Sequence, residues 1–267
     1  MPTIADACRL LEAIAPLALA EEWDNVGLLV GDPTAPLRRV LTCLTLTPDV
    51  VDEAIAAGAS LVVTHHPLPF RGVKTLTTST IDGGSLWRLA AAGVAVYSPH
   101  TAYDSAAGGV NQQWADRLGL TETRPLAPPP AANGGGLENA GVGRVGRWPE
   151  AGRLDALVAA VKRLTNQDAL RVVMSRDGRC ERVAIACGSG GSLLELALGA
   201  DCDVFLTGEM SFHDCLRCRS LGVGVVLTGH YASERFAVET LARRLAASLD
   251  GVPVAASEAE TDPLTPI

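Results

Sequence analysis

The chain has 267 residues, of which 48% are hydrophobic and 19% charged, and its formal net charge is −8. This composition is typical of a globular protein, and the length allows one large core or two modest ones. Because the arginines are scattered singly and form no basic stripe, direct nucleic-acid binding is not expected. No run approaches the roughly 20 apolar residues of a membrane helix. The mixed charges of residues 3–12 predict an amphipathic helix and not a secretory signal, so we expect a cytoplasmic protein.

The seven cysteines predict reduced, mostly buried thiols and no disulfide framework. Among them, Cys215 and Cys218 have the spacing of a metal-binding pair. Because they lie in a predicted helix with no second pair, we favour a coincidence of helical spacing, and a zinc knuckle is the alternative.

The first half of the chain alternates predicted strands and helices. A helix ends near Leu19, and a turn leads into a short strand within residues 22–31. A strand over 39–46, a helix over 50–57 that ends at Gly58, and a strand over 59–63 follow. This strand–helix–strand order predicts a parallel pair joined by a crossover.

Two adjacent histidines, His65 and His66, follow the strand over 59–63, and Pro67 and Pro69 end it. In open α/β sheets, ligands bind at the carboxyl ends of the strands. The histidines could simply satisfy the hydrogen bonds of a loop. Because two adjacent imidazoles are costly to bury unless something binds them, we favour half of a metal site.

A second strand end carries polar residues as well. A helix over 84–92 leads to a strand over 94–98, and His100 and Asp104 come directly afterwards. The stretch 125–136 is rich in proline and glycine, which predicts a domain boundary or a surface loop. We therefore expect a first α/β lobe over 1–124, carrying His65, His66 and Asp104, and a second over 137–267.

The second half repeats the α/β character, with a helix over 154–164 and strands over 169–175, 182–186, 203–209 and 223–229. We expect residues 223–267 to return and pack at the metal site. The loop over 187–192 lies between a strand and a helix, where its amides could hold an anion. Because it lacks a full phosphate-binding fingerprint, a tight turn that needs small residues is the favoured interpretation.

A third strand end is followed by His230 and Glu234, four residues apart, at the start of a predicted helix over 235–245. Side chains at this spacing share one face of a helix. A local hydrogen-bonded pair at the helix start explains the spacing equally well, and the same holds for His100 and Asp104. The recurrence of such residues at three strand ends favours a shared site.

The candidate ligands supply three neutral nitrogens and two carboxylates, which suits two borderline divalent ions with room for water. They are His65, His66, Asp104, His230 and Glu234. Zinc, iron and manganese all accept mixed nitrogen and oxygen ligands, so the ligand set does not identify the metal. Paired ions of this kind lower the pKa of bound water, so the chemistry they indicate is hydrolytic.

The motifs together resemble the NGG-interacting factor three-like family, whose members are often labelled GTP cyclohydrolase 1 type 2 homologues. The resemblance is carried, over nearly the whole chain, by residues 23–27, His65-His66-Pro67, His100 to Asp104 with 108–111, 207–209, and 229–234. It implies two α/β lobes whose sheets are flanked by helices, a dinuclear metal site between the lobes, and a toroidal homohexamer built as a trimer of dimers.

Matched by position, the resemblance implies the same five ligands, with Glu234 as the bridge between the ions. It places His100 close to the metals, as a supporting residue or a proton carrier. Two positions depart from the family pattern. Thr45 replaces a common aspartate, and Phe212 replaces the first residue of a usual histidine pair, leaving His213.

Two functions follow as hypotheses. The first is a metal-dependent hydrolase acting on a nucleotide-like or heterocyclic small molecule, with His100 as the catalytic residue. The second is a ring-shaped metal-binding or adaptor protein without catalysis. We favour the enzyme because the three strand ends would converge where an open coordination position is useful.

Overall fold

The chain alternates short strands with helices, and the computed structural model describes residues 1–129, 138–149 and 152–265. The helices are α1 (Ile4–Ile14), α2 (Pro48–Ala56), α3 (Ile81–Ala91), α4 (His100–Ser105), α5 (Val110–Arg117), α6 (Leu154–Thr165), α7 (Leu194–Gly199), α8 (Phe212–Leu221) and α9 (His230–Ser248). The strands are β1 (Gly27–Val30), β2 (Val40–Cys43), β3 (Leu61–Thr64), β4 (Ala95–Ser98), β5 (Thr121–Arg124), β6 (Arg144–Arg147), β7 (Arg171–Val173), β8 (Arg182–Ala186), β9 (Val204–Thr207), β10 (Gly224–Leu227) and β11 (Val254–Ala256).

The chain divides into two compact units. Unit 1 comprises Met1–Tyr103 and Arg235–Ile267, and unit 2 comprises Asp104–Glu234. These boundaries differ from the lobes predicted over 1–124 and 137–267. Asp104 falls in unit 2 because the following strand β5 pairs with β6, and the end of the chain falls in unit 1 because β11 pairs with β2. Of the predicted loop over 125–136, residues 130–136 lie outside the described ranges.

Unit 1 contains a five-stranded sheet in the order β1-β4-β3-β2-β11. Strands β11, β2, β3 and β4 are parallel, and β1 is antiparallel to β4. The parallel β2-α2-β3 unit confirms the crossover predicted from the sequence. Strand β11 was not predicted, because its three residues carry no alternating pattern.

Local sequence explains how α2 begins and what it buries. The Thr47 side chain accepts a hydrogen bond from the Val50 amide, and Pro48 occupies the first turn, where no amide donor is needed. The face with Val50, Val51 and Ala54 is fully buried in the core that covers the sheet. Its apolar spacing is that of a helix lying on a sheet.

Unit 2 contains a six-stranded sheet in the order β5-β6-β8-β9-β10-β7. Strands β8, β9 and β10 are parallel, and the three outer pairings are antiparallel. The core on this sheet includes Phe205, Val225 and, from α8, Cys218. Strands β5 and β6 were not predicted, and α9 begins at His230, five residues before the predicted start.

A buried arginine organises the segment that follows Asp104 in unit 2. The Arg144 side chain is fully buried and donates to the carbonyls of Ala106, Asn139 and Gly141 at 2.9, 3.1 and 2.7 Å, and to Gln112 Oε1 at 2.8 Å. Burial lowers its pKa to about 10. Oxygen atoms of the protein therefore replace the water molecules that the buried guanidinium has lost.

No helix in the described ranges combines the length and the apolar character that crossing a membrane requires.

Candidate functional site

His65 and His66 directly follow β3, and their backbone amides are hydrogen-bonded to carbonyls at the end of the neighbouring strand β2. The His65 amide donates to the Cys43 carbonyl at 2.9 Å, and the His66 amide donates to the Leu44 carbonyl at 2.8 Å. The Ser98 hydroxyl donates to the His65 carbonyl at 2.7 Å. Both imidazoles are therefore carried by a backbone that the sheet of unit 1 holds in place, and His65 is 5% exposed.

The orientation of His66 depends on Thr45, at the end of β2. The Thr45 Oγ1 and the His66 Nδ1 are 2.8 Å apart. A hydroxyl bonded to Nδ1 fixes the orientation of the ring, as it does behind metal-binding imidazoles. The aspartate expected at position 45 is thus replaced by a hydroxyl that bonds the imidazole directly.

A carboxylate does support this strand end, but it comes from the other end of the chain. Glu260 Oε2 accepts from the Leu44 amide at 2.8 Å, and Oε1 accepts from the Thr45 amide at 2.5 Å. Arg235 Nε lies 3.3 Å from the same carboxylate. Burial raises the pKa of Glu260 against the lowering effect of these bonds. Sequence reasoning missed Glu260, since 216 residues separate it from Leu44.

His100 is held by Asp24, a second residue that the sequence did not single out as part of the site. His100 Nδ1 lies 2.8 Å from Asp24 Oδ1, and Asp24 Oδ2 accepts from the Thr101 amide and hydroxyl at 3.1 and 2.5 Å. The Asp24 side chain is fully buried. Burial opposes ionisation of this carboxyl, but the hydrogen bonds from His100 and Thr101 outweigh it and lower its pKa.

The structure brings His65, His66 and His100 into one cluster. Each offers a ring nitrogen, and these nitrogens lie within 4.8 Å of one another. The ring centroids are 5.2 to 5.7 Å apart. Neutral imidazole nitrogens suit borderline divalent metals, and a carboxylate or hydroxyl behind the imidazole is typical of metal sites. This histidine cluster could therefore hold a metal ion.

Unit 2 holds a second cluster, formed by Glu209, His230 and Glu234. Glu209 Oε1 lies 2.6 Å from His230 Nδ1, and Glu234 Oε2 lies 3.1 Å from His230 Nε2. The hydrogen bond with Glu234 is the main cause that raises the pKa of His230 to about 9. Glu234 is 4% exposed. We call this set the His/Glu cluster. Imidazole nitrogens and carboxylate oxygens are, as chemical groups, ligands that a divalent ion accepts.

The loop after β8 closes against the His/Glu cluster. Gly188 has φ +60°, and a Cβ built on it would lie 2.3 Å from Glu234 Oε1 and 3.4 Å from His230 Nε2. A Cβ on Gly190 would lie 2.5 Å from Thr207 Oγ1. The loop is therefore the tight turn that needs small residues, as the sequence indicated. Its backbone forms one wall of the cluster.

Asp104, in unit 2, is oriented by the same loop. The Cys187 thiol donates to Asp104 Oδ1 at 3.2 Å, and the Cys187 amide donates to Asn111 Oδ1 at 2.8 Å. Asn111 Nδ2 in turn donates to the Asp104 carbonyl at 3.1 Å. Burial, followed by the charges of Asp104 and Glu234, raises the pKa of Cys187 well above its usual value. Cys187 is therefore a protonated hydrogen-bond donor.

The other cysteines and Phe212, the second departure from the family pattern, are not members of either cluster. All seven cysteines lie in the described ranges and are free thiols. Cys215 and Cys218 lie on α8, where burial raises the pKa of Cys218 to about 11. A protonated buried thiol fits the helical coincidence that we favoured. Phe212 is exposed at the start of α8 and contacts the His213 ring.

Comparison with known proteins identifies the family. The family model Duf34/NIF3 (NGG1p interacting factor 3) matches residues 2–263. A Clostridium acetobutylicum protein named GTP cyclohydrolase 1 type 2 homolog is 31% identical, with 97% of each chain covered. A Schizosaccharomyces pombe protein named Protein NIF3 homolog is 35% identical, covering 96% of this chain and 95% of its own.

Solved structures agree with this match over the full length. The crystal structure of a Bacillus cereus protein related to NIF3 has a TM-score of 0.88 at 25% identity, with 100% of this chain and 99% of its own covered. The two α/β sheets, the motifs at their strand ends and the matched residues 2–263 place the chain in the Duf34/NIF3 family.

Proposed function

We propose that this protein is a metal-dependent hydrolase acting on a nucleotide-like or heterocyclic small molecule. The observation that carries the proposal is the histidine cluster of His65, His66 and His100, whose ring nitrogens lie within 4.8 Å of one another. A divalent ion held by such groups would generate a nucleophilic hydroxide near neutral pH, which is the chemistry of hydrolysis.

We propose two divalent ions of zinc, iron or manganese as cofactors, which His65, His66, Asp104, His230 and Glu234 would hold. The residues fit this role: Thr45 engages Nδ1 of His66, and the wall formed by Gly188 leaves no room for a side chain beside Glu234. The ions would supply the Lewis acidity that makes water a nucleophile near neutral pH.

The role we assign to His100 is proton transfer. Its Nδ1 is paired with the buried carboxylate of Asp24, which stabilises a positive charge on the ring and sets its orientation. A proton would be exchanged at Nε2, the nitrogen that does not face Asp24. Asp24 therefore acts on His100 as a positioning residue.

Turnover assays on metal-loaded protein test the proposal. Protein reconstituted with zinc, iron or manganese is incubated with a panel that includes GTP, and substrate loss is measured by chromatography. We expect consumption by the wild type and at least a hundredfold loss in His65→Ala and Glu234→Ala. His213→Ala is the matched control, because His213 is exposed on α8 and outside both clusters. Equal rates in all four proteins would contradict catalysis at this site.

Metal analysis tests the ligand set independently of turnover. We expect two ions per chain in the loaded wild type and a lower content in His65→Ala and Glu234→Ala. Fewer than two ions in fully loaded wild type would contradict the dinuclear proposal.

A ring-shaped metal-binding or adaptor protein is the alternative, because the family description records an interaction with another protein. We propose a cytoplasmic homohexamer, a trimer of dimers, in either case. Light scattering should give six times the chain mass of 27.7 kDa. Loss of the hexamer on chelation, with no substrate consumed by loaded protein, would favour the adaptor.

A further inference from the structure

Two large aromatic side chains lie exposed beside the histidine cluster of unit 1. Trp23 is 60% exposed and Phe70 is 46% exposed. Their ring centroids are 5.9 Å apart, and they lie 6.0 and 6.2 Å from the His100 ring. Single exposed apolar residues are common, but two in mutual contact next to a cluster of imidazoles form a patch at a candidate site.

Hydrogen bonds before and after Trp23 in the sequence hold the chain segments that carry these two rings. Directly after Trp23, the Asp24 carboxylate is bonded to His100 and Thr101. The Asn25 side chain donates to the Pro69 carbonyl at 2.7 Å, which joins the segment of Trp23 to the segment of Phe70. Before Trp23, the Glu21 amide donates to Thr101 Oγ1 at 3.0 Å. The backbone therefore holds Trp23 in place while its indole stays in solvent.

We infer that Trp23 and Phe70 form a stacking surface for a planar heteroaromatic ring of the substrate. Aromatic side chains bind such rings through their faces, and stacking of this kind tolerates different bases because every base has a π-face. The surface lies against His100, so a ring stacked there brings its substituents to the histidine cluster. This inference rests on the proposed function and specifies its substrate class.

Zinc-loaded protein is titrated calorimetrically with GTP and, separately, with inorganic tripolyphosphate. The comparison distinguishes binding of the heteroaromatic ring from binding of the phosphates. In Trp23→Leu and Phe70→Leu we expect GTP affinity to fall about tenfold, with tripolyphosphate affinity and zinc content unchanged. Trp87→Leu is the matched control, because Trp87 is 54% exposed but belongs to α3. It should bind GTP as the wild type does.

The inference is overturned if the Trp23 and Phe70 variants bind GTP normally, or if GTP and tripolyphosphate affinities fall together. Absence of binding of GTP, ATP and flavin mononucleotide to loaded wild type also overturns it. A change in particle size by light scattering in these variants would instead indicate contact between copies. Binding that depends on Trp23 without turnover would retain the surface and contradict the hydrolase, so the two failures are distinguishable.

Discussion

At the scale of single residues, the candidate ligands are oriented by side chains from distant parts of the chain. Thr45 bonds the His66 ring, and Glu260 bonds the backbone that carries Thr45. Asp24 orients the ring of His100 in the same way, through a hydrogen bond with Nδ1. Such supporting bonds set the tautomer and direction of an imidazole, and losing them typically weakens metal binding by about 10- to 100-fold.

Glu260→Ala should weaken zinc binding about tenfold, because it removes the acceptor of the Leu44 and Thr45 amides and frees Thr45 to move. Glu260→Gln, which keeps one acceptor oxygen, should lie between Ala and wild type. Zinc affinity is measured by competition with a chromophoric chelator. Glu53→Ala is the control, since Glu53 accepts from the Glu258 and Ala259 amides of the same terminal segment without touching Thr45.

Equal weakening in Glu53→Ala and Glu260→Ala would show that looseness of the terminal segment, and not support of Thr45, causes the effect.

At the scale of elements, each sheet collects its functional residues at the carboxyl ends of parallel strands. In unit 1, β2, β3 and β4 are followed by Thr45, by His65 and His66, and by His100. In unit 2, β8, β9 and β10 are followed by Gly188, Glu209 and His230. Parallel strands end at one edge of a sheet, so loops with little sequence in common deliver neighbouring side chains.

Gly188→Ala should reduce zinc content and destabilise the protein, because the added methyl would collide with Glu234 at a positive φ. Gly119→Ala is the matched control. Gly119 has φ +67° with nothing within 4 Å of a built Cβ, so it reports the cost of backbone strain alone, about 1–2 kcal/mol. Metal analysis and urea unfolding measure the two effects. Unchanged zinc content in Gly188→Ala would contradict a ligand role for Glu234.

At the scale of the whole molecule, the proposed ligand set predicts that folding and metal binding are linked, because the proposed ligands lie far apart in the sequence. His65 and Asp104 are 39 positions apart, and His230 follows after 126 more. A ligand that binds only the folded state stabilises it by about 2.7 kcal/mol at a hundred times its dissociation constant. Stability should therefore depend on free metal.

Chelation with EDTA should lower the melting temperature, and added zinc should restore it in proportion to the logarithm of its concentration. The shift should shrink in His65→Ala and persist in His213→Ala. Differential scanning fluorimetry measures it. A melting temperature independent of zinc and EDTA in the wild type would contradict linkage between folding and metal.

The sequence by itself determined the α/β class, most helices and central strands, and the residues proposed as ligands. The signals are local: helical spacing in α2, proline after β3, and histidines at strand ends lie within a few residues of one another. The two departures at Thr45 and Phe212 were visible in the same way. Local patterns, however, say nothing of which distant segments meet.

The tertiary structure alone decided the unit boundaries, the place of β11 beside β2, and the partners that orient each imidazole. Glu260 reaches Leu44 across 216 positions, and Asp24 reaches His100 across 76. The physical reason is that such hydrogen bonds form wherever folding brings a donor and an acceptor together, whatever their distance along the chain. Local sequence determines which groups are able to bind a metal, and the packing of remote segments determines how each group is oriented.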